Sequence, residues 1–184
     1  QRSIQLCNKG IYEKERQKSC QLKPLCIGHA NGKTSERGDG GVVLMIKTSR
    51  QLKDKVRNMA RGDSAKAQLL IRNYGMERFL ERVSLSEHRD NFILKGGMLV
   101  SAMVGLENRA TMDIDTSIRN MPLDTIAAKA MVEEIIAVPV DDNIRFEIND
   151  FGTIMDDAEY SGVRISLNAF LDATRIPLKI DIST

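Results

Sequence analysis

Between residues 144 and 182 apolar side chains occupy every second position in three separate stretches: Ile144/Phe146/Ile148, Val163/Ile165/Leu167/Ala169/Leu171 and Leu178/Ile180/Ile182. Successive side chains of a β-strand point to opposite faces, so this alternation describes strands with one face on a core and the other toward solvent. Asp156-Asp157 and Ser161-Gly162 predict the turn between the first two, and Pro177 opens the third. A meander of this kind excludes an all-helical fold. The one-sided pattern also requires something apolar to cover the inward face.

The preceding segment has the period that supplies such a cover. Ser49 is placed to cap a helix running to about Arg61, and Ser64 to cap a longer one. In the longer helix Leu69, Leu70, Met76, Phe79, Leu80 and Val83 share one face, with Arg72, Glu77, Arg78 and Glu81 on the other. Phe92-Ile93-Leu94 predicts a short buried strand ending at Gly96-Gly97, Met98 to Val104 an interior helix, and Met112 to Ile118 a second strand. Pro122 and Asp124 suit the first turn of a further helix, with Leu123, Ile126, Ala127, Ala130 and Met131 facing inward. Two helices, strand, helix, strand, helix and meander make an α+β fold with a mixed sheet flanked by helices.

Charge is unevenly spread. Of 27 Lys/Arg and 25 Asp/Glu, eight and four fall in residues 1–44, leaving 19 against 21 in the remainder. The basic character therefore belongs to the leader and gives no ground for nucleic-acid binding by the main domain. All three cysteines (Cys7, Cys20, Cys26) also lie in the leader, where Cys26-x-x-His29 is the only close ligand pair. That is too little for a structural zinc site, and an odd count argues against a disulfide framework. Residues 1–44 have no useful periodicity and are expected to be a poorly ordered extension, with 45–184 as the folded domain. Gly40-Gly41-Val42 is compatible with a purine-rich ribosome-binding signal in the gene, which makes Met45 a candidate natural start. No apolar run approaches the roughly 18 residues of a membrane span, and the expected compartment is the cytoplasm.

Three elements carry chemistry. Leu94-Lys95-Gly96-Gly97 stands at a strand-to-helix junction, where glycines let backbone approach a ligand and free N–H groups attract phosphate. Thr111-Met112-Asp113-Ile114-Asp115 places two carboxylates at i and i+2, which on a strand share a face about 7 Å apart. Carboxylates so placed suit a pair of divalent ions about 3.5–4 Å apart, a standard device in nucleotidyl transfer. Lys179-Ile180-Asp181-Ile182 adds a carboxylate on the polar face of a late strand. Each element alone is commonplace; Glu13-x-Glu15 and Asp157-x-Glu159 share the acidic spacing and carry no role. His88, in a charged stretch, is read as solvated.

Together the three elements resemble the nucleotidyltransferase superfamily. Residues 92–97, Arg109-x-Thr111-Met112-Asp113-Ile114-Asp115 and the run from Ile176 to Thr184 look more closely like the AbiEii/AbiGii toxin family of bacterial nucleotidyltransferases. The resemblance covers about residues 49–184. It implies a nucleotidyltransferase-like fold and the toxin half of a toxin–antitoxin or abortive-infection system, moving a nucleoside monophosphate from a nucleoside triphosphate to an RNA, the 3′ end of tRNA in some members. It implies that Asp113, Asp115 and Asp181 are catalytic and hold Mg²⁺ or Mn²⁺, with Asp181 on the ion that activates the attacking hydroxyl and a candidate general base. Gly96 and Gly97 would bind phosphate oxygens, Lys95 would add charge there, and Arg109 would contact phosphate or tether its loop. A cognate antitoxin is an implied partner, and a membrane is not. The family continues past the third aspartate into a helical half with a further lysine, whereas this sequence ends at Thr184. The expectation is that this half is missing and that catalysis by these 184 residues alone is weak or absent. Two other readings stay open: an inactive module that binds a nucleotide or partner, and a metal-dependent kinase or phosphohydrolase.

Overall fold

The three apolar alternations become three adjoining strands. A computed structural model of the chain describes residues 46–98, 113–119, 124–154 and 162–183. Its elements are α1 (Ser49–Ala60), α2 (Ser64–Leu85), a 3-10 turn (Glu87–Asp90), β1 (Phe92–Lys95), β2 (Ile114–Ile118), α3 (Thr125–Ala137), β3 (Ile144–Ile154), β4 (Gly162–Leu171) and β5 (Thr174–Ser183). The leader, with its cysteines and Met45, lies outside the described residues. So do Arg109, most of the helix expected from Met98 to Val104, and the turn at Asp156-Asp157.

The sheet has the order β1-β2-β5-β4-β3. Pairs β3/β4, β4/β5 and β1/β2 are antiparallel and β2/β5 is parallel, so the sheet is mixed, as expected. Val163, Ile165, Leu167, Leu171, Ile176, Leu178, Ile180 and Ile182 are all buried on one face. Helix α2 presses on that face so closely that a Cβ on Gly75 would sit 3.0 Å from Ile176 Cγ2 and 3.3 Å from Leu178 Cδ2. Phe79 of α2 meets Phe92 at 6.1 Å and Phe146 at 6.2 Å between ring centres, tying both sides of the sheet to one helix.

Several boundaries and faces differ from expectation. Thr48, not Ser49, caps α1, and it does so with Gln51 in a capping box; Asp63, not Ser64, caps α2. The preceding residue wins because its extended backbone aims a side-chain oxygen at the N–H three residues on. Asp124 is the cap of α3 rather than part of its first turn. Ile126 is 80% exposed, against the inward position expected for it. The buried stripe of α3 is Ala128, Met131, Val132 and Ile135, and at 100° per residue Ile126 falls well off it. Ala130, also expected inward, is exposed.

Arg78, assigned to the solvent side of α2, is buried with Asn73 and Arg82. The helix is covered on more than one side, and its long cations are matched rather than hydrated: Arg82 forks onto Asp142, and Arg78 bonds Glu81 at 2.5 Å. His88 is not simply solvated either. Its Nε2 lies 2.6 Å from Glu134 of α3 and its side chain is 16% exposed. Pro177 lies inside β5 rather than opening it, paired with Asn168 of β4. The described pairing of β5 with β2 starts only at Ile180, so Pro177 occupies a local edge where a missing N–H leaves no ladder bond unmade.

Candidate active site

Register alone brings the charged residues of the polar face into one line. Lys95 of β1 pairs with Asp115 of β2, Asp115 with Asp181 of β5, and Asp181 with Arg164 of β4. Four neighbouring strands thus present a lysine, two aspartates and an arginine side by side. Cross-strand neighbours are about 5 Å apart, so like charges at the centre are adjacent and each has an opposite charge outside it. The next row carries hydroxyls: Ser117 and Ser183 lie 3.1 Å apart through their Oγ atoms.

Gly96 closes one end. Its φ is +61°, a left-handed conformation that side chains disfavour. A Cβ there would also overlap the Asp115 carboxylate, sitting 2.8 Å from its Cγ and 3.0 Å from its Cβ. The turn favours glycine, and the close approach to the acid requires it. Residues 96–98 are helical, Gly97 is buried, and Lys95 and Gly96 are exposed. The expected strand-to-helix junction is therefore present, with backbone N–H groups of a starting helix beside Asp115.

Asp113 has a different setting from the one expected. The strand begins at Ile114, and Asp113 stands on the bend before it, so strand alternation does not fix its side chain on the Asp115 face. The physical reason is the extent of pairing: described partners of β2 start at Ile114 with Ile180 and at Asp115 with Lys95. Asp113 instead lines a cleft of about 440 Å³ together with Arg72, Asn149, Asn168 and Lys179. This cleft occupies the gap beside Pro177 and Lys179, and its volume falls in the range that holds a small ligand.

Arg164 is the residue that sequence reasoning missed. It donates from Nε to Asp181 Oδ1 at 2.7 Å and from Nη2 to Oδ2 at 2.6 Å. The hydrogen bond to Asp181 and that carboxylate's charge, with smaller help from Asp113 and Asp115, hold the guanidinium above its already high range. Alternation placed Arg164 opposite Val163 and Ile165, but only strand register puts it against Asp181.

The donor set fits a hard divalent cation. Asp115 and Asp181 are carboxylates on adjoining strands of an exposed face, and Mg²⁺ favours such oxygens. Among the described residues, however, no three His, Cys, Asp or Glu side chains are gathered so as to hold a metal ion. The structure therefore brings Lys95, Gly96, Asp115 and Asp181 together, sets Asp113 at the adjoining cleft, and occupies Asp181 with Arg164.

Comparison with known proteins agrees with the resemblance. A family model described as nucleotidyl transferase AbiEii toxin, type IV toxin–antitoxin system, matches residues 78–184, a span that includes the five described strands. No curated protein and no solved structure matches the chain.

Proposed function

The chain belongs to the AbiEii nucleotidyltransferase toxin family, and from that premise we propose that it transfers a nucleoside monophosphate from a nucleoside triphosphate to the 3′-hydroxyl of an RNA, with the tRNA 3′ end as acceptor. The observation that carries this reading is the adjacency of Asp115 and Asp181 beside Gly96, an acid pair against a bend where any Cβ would collide with the Asp115 carboxylate.

Asp113, Asp115 and Asp181 would hold Mg²⁺ or Mn²⁺. When bound, the cation neutralises phosphate charge and makes the attacking hydroxyl more acidic. The remaining work falls to the chain. Backbone N–H groups at Gly96 and Gly97 bind oxygens of the leaving pyrophosphate, and Lys95 adds positive charge beside them. The Asp181 carboxylate accepts the proton of the 3′-hydroxyl as that oxygen bonds the α-phosphorus and pyrophosphate departs. Arg109 contacts phosphate or tethers the segment before Asp113. The cleft beside Asp113 has room for a nucleoside. Holding the reactants in line supplies most of the catalysis, since no covalent help is needed.

The proposed setting is a cytoplasmic toxin with a cognate antitoxin. No helix among the described residues is long and apolar enough to cross a membrane. Residues 1–44 are proposed as an extension preceding the catalytic domain. A second reading, a nucleotide-binding module without turnover, draws support from the Arg164–Asp181 fork, which engages the proposed base.

Incubating the protein with α-labelled nucleoside triphosphates, Mg²⁺ and total tRNA tests both. Weak label on RNA with matching release of pyrophosphate, both lost in Asp115→Asn and Asp181→Asn, is the expected result. Calorimetric binding of nucleotide with no transfer even at high protein concentration and long incubation would replace the enzyme by the module. Release or transfer of the γ-phosphate would point to hydrolysis or kinase chemistry.

A further inference from the structure

The fork on Asp181 assigns Arg164 a part in loading the site, an inference that rests on reading Asp181 as a cation ligand. Both Asp181 oxygens are engaged from the β4 side, Oδ1 by Nε and Oδ2 by Nη2. Asp115 lies on the opposite flank, across the β2/β5 pair. A cation shared by Asp115 and Asp181 needs an Asp181 oxygen turned toward β2, so the guanidinium and the cation draw the same carboxylate in opposite directions.

Arg164 is also free enough to let go. Its side chain is 45% exposed and that of Asp181 is 22% exposed. Its Nη1 donates to none of the described residues, and no backbone carbonyl among them anchors it. A planar guanidinium released beside Asp181, one strand beyond it from Asp115, is suited to phosphate oxygens, which it binds with the same two-pronged geometry as a carboxylate.

We propose that Arg164 is a built-in cation that holds Asp181 while no divalent ion is present, competes with that ion for the Asp181 oxygens, and on release takes a phosphate oxygen of the nucleotide.

The two halves of the exchange have opposite signs, which a merely structural role would not produce. Calorimetric titration of the full chain with Mn²⁺ alone, and with inorganic tripolyphosphate in the presence of Mn²⁺, reads both. Arg164→Gln is expected to bind Mn²⁺ about tenfold more tightly and tripolyphosphate about tenfold more weakly, each corresponding to about 1.4 kcal/mol. Arg164→Lys falls between, because an ammonium keeps the charge and loses the fork. Arg145→Gln, on β3 away from the charged row, leaves both unchanged. Unchanged or weaker Mn²⁺ binding by Arg164→Gln, with Asp115→Asn abolishing it, overturns the exchange and leaves the cation reading standing. No Mn²⁺ uptake by the wild-type chain or any variant sinks that reading and the exchange with it. Should Arg164→Gln fail to fold, the Arg164 Nε–H resonance of the wild-type protein decides. It is expected to lose protection from water exchange as Mg²⁺ is added, and persistence at saturating Mg²⁺ overturns the proposal.

Discussion

Two arginine–aspartate forks stand among the described residues, alike in chemistry and opposite in setting. Arg82 and Asp142 are 3% and 0% exposed, whereas Arg164 and Asp181 are 45% and 22% exposed. The buried pair has its bonds multiply used. Asp142 Oδ1 accepts from Arg82 Nη2 and from the Ile144 N–H, while Arg82 donates further to the carbonyls of Arg78 and Ile144. Phe146 lies 4.8 Å from the guanidinium. Such a network fixes α2 to the start of β3 and cannot open without stranding charge in the core. The exposed pair is open to solvent, so exchanging partners costs little. Burial separates a structural ion pair from one available for chemistry.

The largest expected effect tests the buried side. Asp142→Ala leaves the Arg82 charge in the core and should cost about 3–5 kcal/mol in denaturant unfolding. A loss below about 1 kcal/mol would mean that water reaches the site, and the contrast between the forks would weaken.

Tyr74 sharpens the same region through pH. Its hydroxyl donates to the Ile46 carbonyl at 3.2 Å, and burial pushes its pKa from 10.0 up to about 12, opposed by Arg78 and aided by Asp142. The unfolded chain loses this proton near pH 10 and the folded chain keeps it longer. Stability is therefore full below about pH 10 and lost as pH rises to about 12, by roughly 2–3 kcal/mol. Tyr74→Phe should flatten that limb of the curve; an unchanged slope would assign the loss to other groups.

On the exposed side, Gly96→Ala should cost about 1–2 kcal/mol, from its left-handed backbone and the collision with Asp115. RNA labelling should fall by more than stability does, because Asp115 must shift. Wild-type labelling by a folded variant would remove Gly96 from the site. Smallest of all, Arg164→Gln should alter unfolding free energy by less than about 1 kcal/mol. A cost matching that of Asp142→Ala would erase the distinction between the forks.

Much of this was legible in the residues. The alternation at 144–148, 163–171 and 178–182 gave strands and faces correctly, because period-2 burial is a local property. The turn at Gly96-Gly97 was legible too, since paired glycines after a short apolar run mark a tight turn locally. Arg78 was not, because a helix covered on more than one side breaks the rule that charge faces water. Ile126 failed for a related cause: the stripe of α3 is chosen by where the sheet lies, and four apolar residues outweighed one.

By itself the sequence determined the mixed α+β architecture, the family, and the positions of Asp115 and Asp181 on the polar face of their strands. Tertiary structure alone decided that Lys95, Asp115, Asp181 and Arg164 form one line, that Asp113 stands off the strand beside a cleft, and that Arg78 and Arg82 are the arginines locked in the core. Local propensity sets which way a side chain points along its own strand. Which residue lies beside it depends on strand register, a long-range outcome of packing the whole sheet.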